Sequence, residues 1–262
     1  MRIIKLAATL VFTAVILAAT FYVAYMKPRH VVPILMYHAV SDVEGSSLNV
    51  TPKNFARQMD FLHDAGYSVI SLNELVDKIK KGDKAAPKTV VITFDDGYED
   101  NYLHAFPSLE KYDMPATIFL ITGYVDTRKN YLKWEQVRLM MKNGMDFGGH
   151  TRDDVYLPGV RDEHSLWNQI AGSREDIESN IDGEALYFCY PTGGFTEQVK
   201  DIVKKAGYKG ACTTNRGYDR SNTDVYELNR VKITNSDTTK PFHFRAKLSG
   251  YYNLFRSLKS GS

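Results

Sequence analysis

Short hydrophobic runs alternate with amphipathic segments along most of the chain. Apolar or β-branched runs predict buried strands at residues 31–37, 67–70, 89–94, 116–122, 185–190 and 208–213, with one more ending near His150. Helical spacing, with polar starts such as Thr51-Pro52 and Ser71-Leu72-Asn73-Glu74, predicts helices at residues 51–66, 71–82, 134–143, 163–181 and 196–206. Strands that alternate with capped helices indicate parallel βαβ units.

The number of these units bears on the architecture. About seven repeats without a Gly-x-Gly-x-x-Gly element favour an α/β barrel over an open dinucleotide-binding sheet. In such barrels the functional residues follow the carboxyl ends of the strands. Catalytic or ligand-binding residues are therefore expected at those positions.

The N-terminus differs from the rest of the chain. Residues 6–25 carry no charge, and a helix of this length spans about 30 Å, the thickness of a bilayer core. Arg2 and Lys5 precede the segment, and its end is too bulky for a clear cleavage site. We predict a cytoplasmic stub and signal anchor over residues 1–26, and an extracytoplasmic domain over 27–262 on a single-pass membrane protein. A cleaved signal and a secreted domain are the alternative.

Composition narrows the class of protein. The chain has 262 residues, 44% of them hydrophobic and 24% charged, which excludes disordered, collagen-like and polytopic membrane proteins. A formal net charge of +2 argues against a dedicated nucleic-acid binder. Two cysteines, Cys189 and Cys212, are too few for a disulfide framework; a bond between them is geometrically possible, but we favour two free thiols.

Adjacent carboxylates follow the strand at residues 89–94. In Thr93-Phe94-Asp95-Asp96-Gly97 the two aspartates point in different directions, so that one can bind a cation while the other remains a free base. Gly97 permits a sharp exit from the strand. The alternative is a solvated Asp-Asp-Gly turn.

A second polar cluster follows the strand that ends near His150. His150 and Asp154 are four residues apart, so on a helical turn they face the same way and are able to share a metal ion. The alternative is a capping aspartate beside an ordinary polar histidine. Taken with Asp95 and Asp96, the residue types suit zinc or another divalent ion.

These motifs together resemble a known family. Residues 93–97 (Thr-Phe-Asp-Asp-Gly), 148–151 (Gly-Gly-His-Thr) and the flanking words at 33–38, 134–136 and 188–193 are similar to the NodB-homology polysaccharide deacetylases, carbohydrate esterase family 4. Within the family they resemble the poly-N-acetylglucosamine deacetylases, over residues 31–233. The resemblance implies a distorted (β/α)7-8 barrel of the NodB type, here preceded by one N-terminal transmembrane helix.

The resemblance also implies roles for single residues. Asp95 matches the catalytic base that activates the attacking water, and His38 matches the acid that protonates the leaving amine. Asp96 and His150 match metal ligands, and Asp154 occupies the position of a third ligand. The backbone N–H of Thr192 lies where the family forms its oxyanion hole. The implied cofactor is a divalent metal ion, zinc in the first place, with cobalt, nickel or iron also compatible.

Several positions depart from the family pattern. The second motif normally ends in His where this chain has Asp154. The third normally has Arg at the Cys189 position, where it orients the catalytic aspartate, and an aromatic residue at the Thr192 position. A Leu-x-His motif is missing near the C-terminus. We predict that Arg230 replaces the missing Arg; the alternative is a surface salt bridge.

The predicted function is a metal-dependent hydrolase that removes N-acetyl groups from GlcNAc residues of a cell-wall or extracellular polysaccharide, such as peptidoglycan, poly-GlcNAc or a chitin-like polymer. Its partners are this polymer and, through the N-terminal helix, the membrane; a monomer is expected. Tyr98, next to the aspartate pair, is a candidate for stacking on a sugar ring. The alternative is a catalytically impaired glycan-binding or scaffold protein, and hydrolysis of another small amide stays open.

Overall fold

A computed structural model describes residues 2–253, except 44–47, 215–216 and 220. Its strands are β1 (Ile34–Tyr37), β2 (Ser68–Val69), β3 (Thr89–Phe94), β4 (Thr117–Leu120), β5 (Asp146–Gly149), β6 (Tyr187–Cys189), β7 (Gly210–Cys212) and β8 (Val231–Lys232). Its helices are α1 (Arg2–Phe21), α2 (Pro52–Asp64), α3 (Leu72–Lys81), α4 (Phe106–Glu110), α5 (Trp134–Lys142), α6 (Glu163–Asn180), α7 (Glu197–Lys205), α8 (Asn235–Thr239) and α9 (Pro241–Lys247).

The strands form one curled parallel sheet in the order β7-β6-β5-β4-β3-β1-β8, with β2 paired to β3. The segment before β8 bridges the gap between the two ends of this order. Its Leu228 N–H donates to the Ala211 carbonyl at 3.0 Å, and the Arg230 N–H donates to the Thr214 carbonyl at 2.6 Å. The same segment then pairs with β1 as β8. The predicted distorted α/β barrel is confirmed.

Local sequence signals start the helices as expected. The Thr51 hydroxyl accepts from the Asn54 N–H at 3.3 Å, and the Ser71 hydroxyl accepts from the Glu74 N–H at 3.0 Å. Gly82 ends α3 in the left-handed conformation, which a residue without a side chain adopts at little cost. These caps satisfy backbone groups that a helix end would otherwise leave unpaired.

Some of the shortest helices and strands are not predicted by the sequence pattern. Helices α4, α8 and α9 and strand β8 were not predicted, and most predicted strands extend one to three residues beyond the observed ones. A two-residue strand or a five-residue helix is too short to show a hydrophobic period. Their formation depends on tertiary contacts, such as the ladder of β8 with β1.

Alternation along the strands divides the core into two layers. Leu35, Tyr37 and Phe94 pack outward against α2 and the other surrounding helices. Ile34, Val91 and Phe119 face inward and pack with Leu72, Leu75 and Val76 of α3. The Tyr187 hydroxyl, from β6, donates to the Asn73 carboxamide at 2.9 Å. Helix α3 therefore plugs the amino-terminal end of the barrel, which leaves the opposite end for a functional site.

The N-terminal helix continues through a π-helical turn (Tyr22–Met26) and a 3-10 turn (Lys27–Arg29). The segment Ile4–Arg29 is long and apolar enough to cross a membrane, and none of its apolar window is buried against the rest of the chain. A signal sequence at the N-terminus has the same length and composition.

Candidate active site

The predicted site residues gather at the carboxyl end of the barrel because their strands end side by side. Tyr37 of β1 is in register with Phe94 of β3, and Leu120 of β4 is in register with Gly149 of β5. His38, Asp95 and His150 are therefore the first residues after β1, β3 and β5, at the same end of the sheet. Gly97 lies against β4 with φ of +75°, and a Cβ atom there would come within 2.7 Å of the Leu120 side chain, so both the backbone and the space favour glycine at this exit.

A buried ion pair joins Asp95 to Arg230. Two guanidinium nitrogens of Arg230 donate to the two carboxylate oxygens of Asp95, each at 2.6 Å. Arg230 is 1% exposed and Asp95 is 3% exposed. The guanidinium also donates to the Thr93 hydroxyl at 3.0 Å and to the Thr213 carbonyl at 2.8 Å. Arg230 therefore lies against Asp95, beside the Cys189 thiol, and it is not at the surface.

The pair controls the protonation of Asp95. Burial by itself would raise the pKa of this carboxyl, but the charge and hydrogen bonds of Arg230 outweigh it and hold the pKa of Asp95 well below its usual range. Asp95 is thus ionised at neutral pH. Each carboxylate oxygen has two lone pairs, so the bonds to Arg230 leave Asp95 able to accept a further proton.

His38 lies on the other side of Asp95. Its Nε2 atom is 3.7 Å from Asp95 Oδ2, and the imidazole is largely buried. Burial lowers the pKa of His38, while the nearby carboxylates of Asp95 and Asp96 oppose the change. A protonated His38 is therefore a stronger acid than a histidine in water.

Asp96 faces His150. The Nδ1 atom of His150 is 2.7 Å from the Cys189 carbonyl, which only accepts, so the proton must be on Nδ1. In the neutral imidazole the lone pair of Nε2 is then directed to Asp96, whose Oδ1 atom is 3.5 Å away. Two electron-pair donors in this position suit a cation between them, and a carbonyl that holds the second ring nitrogen is typical of histidine ligands.

Asp154 is at the edge of the same cluster. Its backbone has a φ of +55°, outside any helix, so the predicted helical turn from His150 to Asp154 is wrong. The loop nevertheless brings Asp154, an exposed residue, close enough to His150 and Asp96 to interact with both electrostatically. Burial raises the pKa of Asp154, and the group interacts electrostatically with both His150, which opposes the rise, and Asp96, which adds to it.

The donor set formed by Asp96, His150 and Asp154 fits a divalent ion of borderline or hard character. Among the described residues, the three ligand atoms that lie within 4.8 Å of one another belong instead to Asp95, His150 and Cys189. These three residues suit a metal less well, because the Arg230 guanidinium lies 3.0 Å from the Cys189 sulfur and holds both oxygens of Asp95. Burial also raises the pKa of the Cys189 thiol, which keeps it protonated.

Both cysteines are buried free thiols. Cys189 and Cys212 are register partners on β6 and β7, as expected of neighbouring strands. Burial raises the pKa of the Cys212 thiol to about 12. Neither thiol has the lowered pKa of a reactive cysteine.

Thr192 lies in a tight turn after β6, with a φ of +54°. The turn is closed by the N–H groups of Gly193 and Gly194, which donate to the carbonyls of Tyr190 and Pro191. The Thr192 side chain is exposed. Its own N–H has no acceptor among the residues that the structure describes, so it is available to a bound molecule.

Two sets of contacts near the site are not predicted from the sequence: one supports the loop after β5, and the other forms an aromatic surface. Arg152 forms two hydrogen bonds with Asp176 of α6, at 2.8 and 2.7 Å, and thereby fixes the loop that carries His150 and Asp154. Arg152 is inside the second motif, but only the fold shows its partner. The Tyr98 ring packs 5.1 Å from the Tyr131 ring, and Tyr131 packs 5.0 Å from Tyr124, which gives an aromatic wall beside Asp96.

Comparisons with known proteins agree with this geometry. The family profile described as "Polysaccharide deacetylase" matches residues 82–211. The chain is 36% identical over 202 residues to YxkH of Bacillus subtilis (strain 168), whose name assigns it to the polysaccharide deacetylases; the match covers 77% of this chain and 71% of that protein. It is 28% identical over 213 residues to a poly-beta-1,6-N-acetyl-D-glucosamine N-deacetylase of Staphylococcus aureus (strain MRSA252), covering 76% and 72% of the two chains.

Solved structures give the same result. The Streptococcus pyogenes deacetylase PplD, in complex with acetate, superposes with a TM-score of 0.76 at 28% identity, and the match covers 83% of this chain and 97% of that one. Sequence similarity and superposition thus agree, and the chain belongs to the polysaccharide deacetylase family.

Proposed function

We propose that this protein is a metal-dependent de-N-acetylase that acts on GlcNAc residues of a cell-wall or extracellular polysaccharide. The observation that carries the proposal is that two adjacent carboxylates, Asp95 and Asp96, have different surroundings. Asp95 is held by Arg230 and faces His38, whereas Asp96 faces the lone pair of His150. Two carboxylates with different surroundings take different roles, here a base and a metal ligand.

The base acts on the attacking water, and the acid acts on the leaving amine. Asp95, ionised at neutral pH, accepts a proton from the attacking water. Protonated His38, a strengthened acid, donates its proton to the leaving amine. Arg230 orients Asp95 through its two hydrogen bonds and keeps it charged. The free N–H of Thr192 donates to the oxyanion that forms from the acetamide carbonyl.

Asp96, His150 and Asp154 would hold the ion. When bound there, a divalent ion such as zinc, or cobalt, nickel or iron, acts as a Lewis acid on the acetamide carbonyl and activates water at neutral pH. The Cys189 carbonyl fixes the ring of His150 so that its Nε2 lone pair is available.

The proposed substrate class rests on the named relatives, and the proposed location rests on α1. The S. aureus relative is named for deacetylation of poly-beta-1,6-N-acetyl-D-glucosamine, which makes a β-linked GlcNAc polymer the first substrate to test. The wall of Tyr98, Tyr131 and Tyr124 offers faces for sugar rings. We propose that residues 1–26 anchor the chain in the membrane and that residues 27–262 form the extracytoplasmic deacetylase domain.

The test is metal content combined with acetate release. The purified full chain, loaded with zinc, should release acetate from GlcNAc oligomers or peptidoglycan. Asp95→Asn should abolish acetate release while the bound metal stays near wild-type content, and His150→Gln should lose both. Loss of metal in Asp95→Asn would reverse the assigned roles of the two carboxylates. Absence of acetate with every metal tried would refute the enzymatic proposal.

One observation favours the second candidate, a glycan-binding protein of reduced activity. Asp154 stands where the family has His, and a third carboxylate beside Asp96 makes the cluster more negative. In that case the chain would bind GlcNAc oligomers but release no acetate, and Asp154→His would restore release.

A further inference from the structure

The end of the barrel opposite the active site contains a cavity of about 560 Å³. Its lining comes from the end of the N-terminal helical segment with its link to β1, from α3 and the loop between α3 and β3, from residues 221–223 and 248–251, and from Tyr67. These segments meet because the loop enters β3 beside β1, its neighbour in the sheet. Nothing in the proposed deacetylation uses this cavity.

Positive charge dominates its lining. Residues 78–88 contain five lysines and one aspartate. Of the charged side chains around the cavity, four are lysines (Lys27, Lys78, Lys84 and Lys88), and only Asp83 is acidic. Lys78 is paired with Glu74 at 3.4 Å, whereas Lys27 and Lys84 have no ion-pair partner in the part of the chain that the structure describes. Such a site favours an anion.

Apolar residues share the lining with the lysines. Val31, Leu75, Ile79 and Leu248 are among them. A cavity with a basic rim and apolar walls suits an amphiphile that carries both a phosphate and hydrocarbon better than it suits an isolated inorganic anion.

The cavity lies directly next to the end of the candidate membrane helix. Lys27 lies in the 3-10 turn that ends that helical segment. The Val31 N–H donates to the Gly250 carbonyl at 3.1 Å, which ties the segment to the folded domain. The His30 ring packs edge-on against Tyr251, with centroids 5.4 Å apart. If α1 spans the bilayer, the cavity is at the level of the lipid headgroups.

We propose that this cavity binds the phosphate headgroup of an anionic membrane lipid. The inference rests on the membrane anchoring proposed above and adds an orientation to it. A domain bound to the bilayer by its amino-terminal barrel face directs His38, Asp95 and His150, at the other ends of the strands, away from the membrane. The active site then opens toward polymer outside the cell rather than toward lipid.

Native mass spectrometry of the full chain in detergent tests the proposal. The chain is mixed with equal amounts of phosphatidylglycerol and phosphatidylcholine, and the retained lipid is identified. Wild type should retain phosphatidylglycerol. The triple variant Lys78→Gln/Lys84→Gln/Lys88→Gln should bind it about 100-fold more weakly, which corresponds to about 1 kcal/mol for each lysine near an anionic surface.

A charge-matched control separates the cavity from overall charge. Lys53→Gln/Lys129→Gln/Lys240→Gln removes three charges from exposed positions outside the cavity lining and should retain phosphatidylglycerol as wild type does. Equal loss in both triple variants would overturn the proposal, as would equal retention of the two lipids by wild type. Inorganic phosphate is the second probe: if it binds as tightly as the lipid, the site is a phosphate site and the lipid assignment is wrong.

Acetate release from soluble GlcNAc oligomers is measured on the same samples. Release by a wild type that retains no anionic lipid would overturn the lipid site alone. Retention of the lipid without any release would overturn the deacetylase proposal alone.

Discussion

Replacing Arg230 by methionine isolates the energetic role of the buried ion pair. Methionine keeps much of the side-chain volume but leaves the carboxylate of Asp95, at 3% exposure, without its partner. Removing one member of a buried pair costs about 3–5 kcal/mol, because the remaining charge is neither solvated nor neutralised. For a chain of this size that loss lowers the melting temperature by on the order of 10 °C.

The pH dependence distinguishes this cause from lost packing. In wild type the pKa of Asp95 is lower in the folded state than in the unfolded state, where it is about 4. The contribution of the pair is therefore complete above about pH 4 and is lost as the pH falls toward the folded-state pKa. In the variant the contribution of Arg230 is gone and only the smaller ones of His38 and His150 oppose burial, so the pKa of Asp95 should rise above its unfolded value. The variant therefore gains stability relative to wild type as the pH falls from 7 to 5.

The assay is thermal unfolding of the full chain in detergent at pH 7, 6 and 5. Arg138→Met is the matched control, because Arg138 is exposed and donates one hydrogen bond, to the Asn180 carbonyl at 3.0 Å. Its loss should stay below about 1 kcal/mol at every pH. An equally small loss for Arg230→Met, or a loss that does not change with pH, would refute the reasoning.

Three further predictions concern the site. Asp154→Ala should weaken zinc binding by about 10-fold or more, whereas Asp154→His should retain zinc, as measured by competition with a chromophoric chelator; equal affinity in Asp154→Ala would remove this residue from the ligand set. Thr192→Gly keeps the backbone N–H and tolerates the φ of +54°, so kcat should stay within about twofold of wild type, and a large drop would assign the role to the side chain. Chelation should stop acetate release and lower the melting temperature, since a ligand at 100 times its Kd stabilises the folded state by about 2.7 kcal/mol; an unchanged melting curve would argue against a bound ion.

The main elements could be predicted from the sequence because their signals are local. The start of α2 at Thr51-Pro52 and the left-handed end of α3 at Gly82 follow from the chemistry of two or three residues each. The buried strand β3 is a six-residue β-branched and aromatic run. Elements without such signals, such as β8, form only because a neighbouring strand is already in place.

The site could be predicted in part, for the same reason. Asp95, Asp96 and His150 follow strand ends, so parallel strands bring them together whatever the rest of the chain does. Asp154 was placed from a four-residue spacing, and the helical turn assumed for it does not form, since its φ of +55° belongs to an irregular loop. The support of this loop by Arg152 and Asp176 joins residues 24 positions apart, a pairing that no local pattern contains.

Arg230 shows the difference between what the sequence determines and what only the tertiary structure decides. The sequence by itself determined the α/β alternation, the apolar N-terminal segment and the carboxylates and histidines at the strand ends, because each depends on residues within a few positions of one another. It also showed that an arginine was missing from the Cys189 position, and it offered two places for Arg230, at the surface or against Asp95. Only the tertiary structure decided between them: Arg230 and Asp95 are 135 positions apart, and curling of the sheet between β7 and β1 brings them to 2.6 Å.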